Sequence, residues 1–366
     1  MNQIDASQDN SVDTISFDLM GSDLGAKDLI LGASKFLESN PKLCFLMYGD
    51  AKVCLPVLNS YKNLKERSCF YHCDVSISMH ERPADALRRG RNVSSMWCAI
   101  EAVKKKKAAS VVSAGNTGAL IAMARLCLSK ISGVDRPSLA AFWPTINKGK
   151  CVILDVGAAV GSVTVSHMVQ LSILGSFFAH SALGISRPSI GLLNVGTEET
   201  KGHGVLQDSS RLLRGECRNY FEYKGFIEAS DIAKGLVDVV VTEGFSGNIA
   251  IKSAEGTVSH VAAVLQKSLK STLLSRIGCF FIKKSLRELK EGFDPRNFNG
   301  GVLLGVDGLV VKGHGSSDAR SIINVLGIAR NMSRNGFISM VKNDMQIVRD
   351  SLLDSYEKNV VSDSRK

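Results

Sequence analysis

The sequence predicts an α/β protein built on a doubly wound, mostly parallel sheet. Two observations predict it. Short apolar, β-rich runs recur along the chain with helical patterns between them. Three of those regions also hold glycine-dense turns bearing hydroxyls and amides: Ser110–Ala119, Asp238–Ile249 and Gly300–Ser317. Each reads as a strand, a turn with uncovered backbone N–H groups, and a helix start. Such N–H groups suit a small anion such as phosphate. Several in one chain point to a shared site at the carboxyl ends of a parallel sheet.

Taken in order, the apolar runs place strands at Thr14–Asp18, Leu43–Tyr48, Val75–Ser78, Ser110–Ser113, Val152–Asp155, Ile190–Asn194, Phe226–Glu228 and Asp238–Thr242. Helical patterns fill Lys27–Glu38, Val53–Leu64, Val93–Lys106, Thr117–Leu128, Ser162–Leu183, Val205–Arg214 and Asn248–Leu274. A glycine-rich hairpin follows at Gly300–Gly313, then two helices near Ser316–Met332 and Phe337–Tyr356. No Asp, Glu, Lys or Arg occurs from Val156 to Ser186, long enough for a membrane span. Six serines, two histidines and a glutamine there, directly after a strand and its turn, favour a helix buried at the heart of the sheet instead.

At 366 residues the chain can form one large α/β domain or two smaller ones. It has no linker-like stretch and no internal repeat, so one domain over 13–357 is expected. A disordered N-terminus, 1–12, precedes it and a charged tail, 358–366, follows. Nine scattered cysteines and a polar start, Met1–Asn10, fit a reducing cytoplasm. Cys69, His72, Cys73 and His80 lie close together, but without paired C-x-x-C spacing they read as an ordinary strand and loop.

The net charge of +10 calls for an acidic partner: nucleic acid, an anionic membrane surface or an acidic protein. No zinc-finger spacing or RNA-binding aromatic signature accompanies it, which argues against nucleic acid. Half of the surplus sits at 259–293, read as a protruding basic helical hairpin around the apolar tip Ile277–Ile282. Either that tip packs on a second subunit, or Phe280, Phe281 and Ile282 enter a membrane interface with Arg276, Lys283 and Lys284 on headgroups. Lys104–Lys107 reads as a solvated helix C-terminus favoured by the dipole, with docking of an acidic protein as the alternative.

Four turns could carry chemistry. In Ser113–Gly118 the glycines permit close backbone approach, while Asn116 and Thr117 offer polar atoms at a helix start. The alternative is a turn made only for tight packing. In Gly191–Gly202, Lys201 is either part of a solvated ion pair or a fixed cation for an oxyanion. Asn248 sits where a helix begins, with Lys252 one turn on, and an N-cap role is the plain alternative. In Lys312–Ser317, His314 stands beside two hydroxyls, with Ser316 as a candidate N-cap. No G-x-S-x-G elbow and no G-x-G-x-x-G after a strand are present, which disfavours a serine hydrolase and a dinucleotide enzyme.

In this order, six motifs resemble the phosphate acyltransferase family (PlsX type) of bacterial phospholipid synthesis, from about Phe17 to Asn324. Asp18-Leu-Met-Gly-Ser-Asp23 resembles the family's D-A-M-G-G-D, and Ser113–Ala119 matches S-A-G-N-T-G-A in full. Leu154–Ala158 resembles the start of L-D-V-G-A-N, and Asn194–Gly202 resembles N-x-G-x-E-x-x-K-G. Gly244–Asn248 fits G-F-x-G-N, and His314–Ser317 fits H-G-S-S. The chain departs at Leu19, Ser22, Gly25-Ala26, Ala159 (for Asn) and His203 (for Asn).

The resemblance implies a three-layer α/β/α sandwich like that of phosphotransacetylases and isopropylmalate dehydrogenases. It implies transfer of a fatty acyl group from acyl carrier protein to inorganic phosphate, feeding a membrane glycerol-3-phosphate acyltransferase. Family members are homodimers that associate with the inner face of the membrane. Inorganic phosphate is a substrate, and no cofactor or metal is demanded because phosphate is already a nucleophile and needs positioning. Lys201, Asn248 and His203 become catalytic candidates, as donors to the thioester oxyanion or as proton carriers. Asp18, Ser113, Gly115, Asn116, Thr117, Gly118, Asp155, Asn194, Glu198, Lys252, His314, Gly315, Ser316 and Ser317 become candidates for binding substrate. An acyl-coenzyme A enzyme of the phosphotransacetylase type and an inactive membrane scaffold are the competing readings.

Overall fold

The computed structural model describes residues 13–147, 149–159, 161, 163–216, 220–286, 300–347 and 349–350. Eleven strands form one sheet: β1 Thr14–Asp18, β2 Cys44–Gly49, β3 Ser68–His72, β4 Ser110–Ser113, β5 Ser138–Thr145, β6 Gly149–Leu154, β7 Ser189–Leu193, β8 Glu222–Ile227, β9 Val239–Val241, β10 Gly301–Leu304 and β11 Leu309–Lys312. Their order is β3-β2-β1-β4-β11-β10-β5-β6-β9-β7-β8. The helices are α1 Ala26–Glu38, α2 Ala51–Leu58, α3 Lys62–Glu66, α4 Pro83–Gly90, α5 Ser95–Lys104, α6 Thr117–Leu128, α7 Val165–Leu183, α8 Gly204–Glu216, α9 Ala229–Ile232, α10 Gly244–Leu269, α11 Leu273–Phe281 and α12 Ala319–Arg334.

Strand direction positions the site. β3, β2, β1, β4 and β11 are mutually parallel, and so are β6, β9, β7 and β8. Between them β10 and β5 form three successive antiparallel pairings, an odd number of reversals. The two parallel halves therefore run in opposite directions. The expectation of one set of carboxyl ends is corrected: the sheet has two.

Alternation along the strands sorts side chains to two faces. Phe17, Val112, Val311, Val152, Leu154 and Val241 all enter one core, which runs the width of the sheet beneath α1, α7 and α12. The opposite face is covered in two separate pieces. Val111, Val310 and Leu303 pack under α5 and α6, whereas Cys151, Ile153 and Val240 meet Ile227, Ile232 and Val237. α7 is buried along nearly its whole length, begins at the Thr164 cap and ends on Gly184 at φ 72°. Among the described residues, no helix is long and apolar enough to cross a membrane.

The elements depart from expectation where composition is misleading. The strand expected at Val75–Ser78 is instead β3, an edge strand whose half-exposed Ser-Cys-Phe-Tyr-His lacks an apolar run; Val75 makes one bridge, to Ser94. The helix expected at Val53–Leu64 breaks into α2 and α3, and that at Asn248–Leu274 starts earlier and turns at 270–272 into α11. β5, α4 and α9 were not expected. His72 on β3 accepts from Ala51 N at 3.0 Å through Nδ1 and has Asp74 2.8 Å from Nε2. The expected helix at Phe337–Tyr356 is present over 337–347. Its end, the expected 1–12 and 358–366 segments, and Arg287, Glu288, Lys290 and Glu291 of the basic hairpin lie outside the described residues.

Candidate active site

The first group of candidates gathers at the carboxyl ends of β1, β4 and β11. Register places Asp18, Ser113 and Lys312 in one row across the three strands. All three are buried. Ser113 Oγ donates to Asp18 Oδ2 at 2.7 Å, and Met20 N donates to Oδ1 at 3.2 Å. Burial pushes the Asp18 carboxyl up to about 6, against the Ser113 hydrogen bond. Burial likewise brings the Lys312 ammonium down to about 8, opposed by the Asp23 and Asp18 carboxylates. Lys312 is the residue the sequence reading missed. Its signal was a charge closing the otherwise apolar strand Leu309-Val-Val-Lys312.

The turns above this row close on one another. Asp23 N and Ser22 Oγ both donate to Gly315 O, at 2.9 and 3.1 Å. Gly315 passes so near the opening turn that a Cβ there would lie 2.6 Å from Asp23 Oδ2. Asn116 does structural work. Its Nδ2 donates to the carbonyls of Ser78, Met79 and Glu81 at 3.2, 2.9 and 2.8 Å, and its Oδ1 caps α6 by accepting from Ala119 N at 3.0 Å. The Asn116 amide is thus spent, which corrects its assignment to substrate. Gly115 and Gly118 leave room for Met96 and Pro83, so tight packing accounts for both. The expected 315–317 cradle is also partly closed: Ser317 N donates to His314 O at 3.0 Å and Ser316 N to His314 Nδ1 at 3.3 Å. Thr117 and Gly118 supply the first N–H groups of α6, which have no intrahelical acceptor.

The second group lies at the carboxyl ends of β6, β9 and β7. Asp155 is fully buried, and its carboxylate accepts from Leu139 N at 2.9 Å, Ala158 N at 3.1 Å and Ala159 N at 2.6 Å. Burial raises it above the usual carboxylate range against those three bonds. It organises the turn and makes no approach to solvent. Gly247 lies on this turn, where a Cβ would strike Asp155 O. Glu243 caps α10 by accepting from Phe245 N and Ser246 N, both at 2.7 Å. The Asn248 amide rests against Gly157, and its side chain makes no hydrogen bond to a described residue. Lys252 is exposed one turn beyond.

Asn194 Nδ2 donates to Lys201 O at 3.1 Å and thereby shapes the loop after β7. Glu198, Lys201 and His203 are exposed on it. Glu198 and Lys201 both lie over Gly196, where a Cβ would stand 2.7 Å from Glu198 Oε2 and 3.1 Å from Lys201 Cγ. Beside this loop opens a mostly apolar cavity of about 850 Å3, with Asn194, Gly202, His203, Thr242 and Glu243 among its lining. The two groups adjoin through one turn: Gly157 touches Asn248, and Ala158 packs on the cluster under α5 and α6.

The partner-contact candidates stand away from both groups. On α11 and just beyond it, Phe280 and Phe281 are more than three-quarters exposed, beside exposed Arg276, Ile282, Lys283 and Lys284. Of α10, only Gly244 and Gly247 are buried.

Residues 14–340 match the model of a family described as "Fatty acid synthesis protein". The phosphate acyltransferase of Rhizobium rhizogenes is 48% identical over 332 residues, covering 91% of this chain and 95% of that protein. That of Agrobacterium fabrum is 45% identical, covering 91% and 94%. Among solved structures, a phosphotransacetylase from Streptococcus pyogenes superposes with a TM-score of 0.56 at 15% identity, covering 88% of this chain and 94% of that one. A branched-chain phosphotransacylase from Enterococcus faecalis gives 0.53 at 15% identity, covering 87% and 98%. These two share the fold, a large α/β sheet with helices on both faces. By its matched length and its relatives, the chain belongs to the phosphate acyltransferase family.

Proposed function

We propose that the protein transfers a fatty acyl group from an acyl carrier protein thioester to inorganic phosphate, giving acyl phosphate and free carrier thiol. The observation that carries this reading is a mostly apolar cavity bordered by exposed His203, beside the loop that carries exposed Lys201 and the helix start that carries half-buried Asn248. Phosphate attacks the thioester carbonyl, one C–O bond forms, and the C–S bond breaks as the tetrahedral intermediate collapses. The carbonyl oxygen gains charge in that step, and Lys201 and Asn248 are the donors that meet it. The leaving thiolate has a modest pKa, so a strong general acid is unnecessary; His203 supplies a proton beside the cavity. Phosphate held by the free N–H groups of α6 would lie near Lys312, which offsets its charge.

The partners follow from charge and exposure. Acidic carrier proteins suit the basic surplus of +10. The hairpin of α10 and α11 exposes more apolar surface than a scattered residue would, which supports reading it as a contact surface for a second subunit and for an anionic membrane. On this reading the enzyme works in the cytoplasm at the inner face of the membrane, handing its product to a glycerol-3-phosphate acyltransferase there.

The test is incubation with palmitoyl carrier protein, with and without inorganic phosphate, following free thiol and hydroxylamine-trapped acyl phosphate together. Phosphate-dependent appearance of both is expected. Thiol release that ignores phosphate would mean a thioesterase. Faster turnover of coenzyme A thioesters would move the donor to coenzyme A.

A further inference from the structure

The cavity beside the Asn194–Gly202 loop has a lining of two kinds. Asn194, Gly202 and His203 belong to its polar part. Trp143, Met168, Ile232, Ile251, Ala254 and Val258 belong to its apolar part. Its volume of about 850 Å3 lies within the range of sites that hold small molecules. It is built from both sides of the sheet's second half. Trp143 comes from β5, Met168 from α7, Ile232 from α9, and Ile251, Ala254 and Val258 from successive turns of α10. This half of the sheet has a smaller covering cluster than the first, so the cavity occupies space that helices fill on the other side.

We propose that this chamber is the subsite for the hydrocarbon chain of the acyl donor, and that its far wall sets the chain length the enzyme prefers. The proposal rests on the acyl-transfer reading and deepens it. The chain enters methyl end first and leaves its thioester at the polar part, beside Asn194 and His203. An apolar wall supplies no directional contacts, so preference follows from apolar area covered. Each methylene that enters then tightens binding roughly fourfold, and the series ends at the length that meets the wall. Ala254 and Ala250 are small residues on the α10 side of the lining, so a larger side chain there takes up part of the cavity. The phosphate groups and the carrier protein stay outside it.

Two measurements test this. The first uses the protein's two tryptophans. Trp143 borders the chamber, whereas Trp97 is buried under the other half of the sheet. Palmitate carrying a nitroxide at its methyl end should quench Trp143, read in a Trp97→Phe background, and leave Trp97 bright in a Trp143→Phe background. The second uses carrier protein thioesters of increasing chain length. KM should fall roughly fourfold per methylene and then level. Ala254→Phe should move the levelling point to shorter chains. Ala250→Leu, a milder change, serves if Ala254→Phe does not fold, and should shift it by less. A chain-length profile that ignores both variants overturns the chamber while leaving acyl transfer standing. Equal quenching of both tryptophans, or none, also overturns it. Quenching of Trp143 in a protein with no phosphate-dependent turnover removes the donor itself, and the acyl-transfer reading fails with it.

Discussion

The two halves of the sheet solve different problems with the same strands. The first half is closed: α5 and α6 seal one face, and its polar row, Asp18, Ser113 and Lys312, is buried beneath interlocked turns. The second half leaves one face partly bare and holds its reactive candidates, Lys201 and His203, in solvent beside a cavity. Buried charges cost stability, so a chain retains them where they serve a ligand or hold a turn. Exposed lysines cost little and fix little until substrate arrives. The first half therefore reads as the preorganised part of the site and the second as the part that receives the acyl group.

The largest effect should come from the floor joining the halves. Asp155→Ala would leave three backbone N–H groups at Leu139, Ala158 and Ala159 without their acceptor, at a cost of about 3 kcal/mol. Chemical denaturation measures this directly. Wild-type stability in the variant would mean that water replaces the carboxylate and that the turn is not a strut. Next, Lys201→Ala should lower kcat on the order of 100-fold with an unchanged melting temperature, as loss of an oxyanion donor does. Unchanged turnover would remove Lys201 from the chemistry and shift the comparison toward the first half.

Asp18 gives the contrast a sign. Its folded pKa is raised from 3.8 to about 6, so its contribution to stability is complete below pH 4 and lost as pH rises through 6. At pH 7 the ionised carboxylate thus weighs against the fold by about 3 kcal/mol. Asp18→Asn keeps an acceptor for Ser113 and Met20 and removes that cost. The variant should be more stable than wild type at pH 7, near equal at pH 4, and impaired in turnover. Lys312 adds an effect in the alkaline range: its pKa falls from 10.5 to about 8, so wild-type stability should rise between those values as the unfolded chain binds the extra proton. Melting curves of wild type and variant across pH 4–10 check both. Parallel curves would show that Asp18 is not strained, and a wild-type curve that does not rise above pH 8 would show the same for Lys312.

Much of the fold was legible because central strands are near-continuous apolar runs. β1, β4, β6, β7 and β9 were all found that way. β3 hid behind polar and sulfur side chains because an edge strand has few buried positions. β5 was missed, and with it the reversal that splits the sheet, since direction depends on long-range pairing that no local pattern carries. The site was legible by motif but not by role. Asn116 and Lys312 show why. The sequence places an amide at a helix start and cannot show that three carbonyls of a distant loop have claimed it. It shows a lysine ending a strand and cannot show that this lysine is buried beside a carboxylate from another strand.

The smallest effect on the folded chain should come from the hairpin, and there the comparison reaches past the single subunit. Phe280 and Phe281 are 76% and 79% exposed, so replacing both by Ser should change stability by less than about 0.5 kcal/mol. If they serve a lipid surface, the double variant should lose sedimentation with vesicles containing anionic lipid and keep turnover in free solution. If they serve a second subunit, it should instead elute as a smaller species. The lysines discriminate further. Lys283→Glu would weaken vesicle binding by about 1 kcal/mol per charge removed and more per charge reversed, in a manner abolished by high salt. A protomer contact made by the two rings would persist at that salt. Retained vesicle binding and unchanged elution in both variants would mean that the exposed rings are not a contact surface, and the second half's openness would end at its cavity.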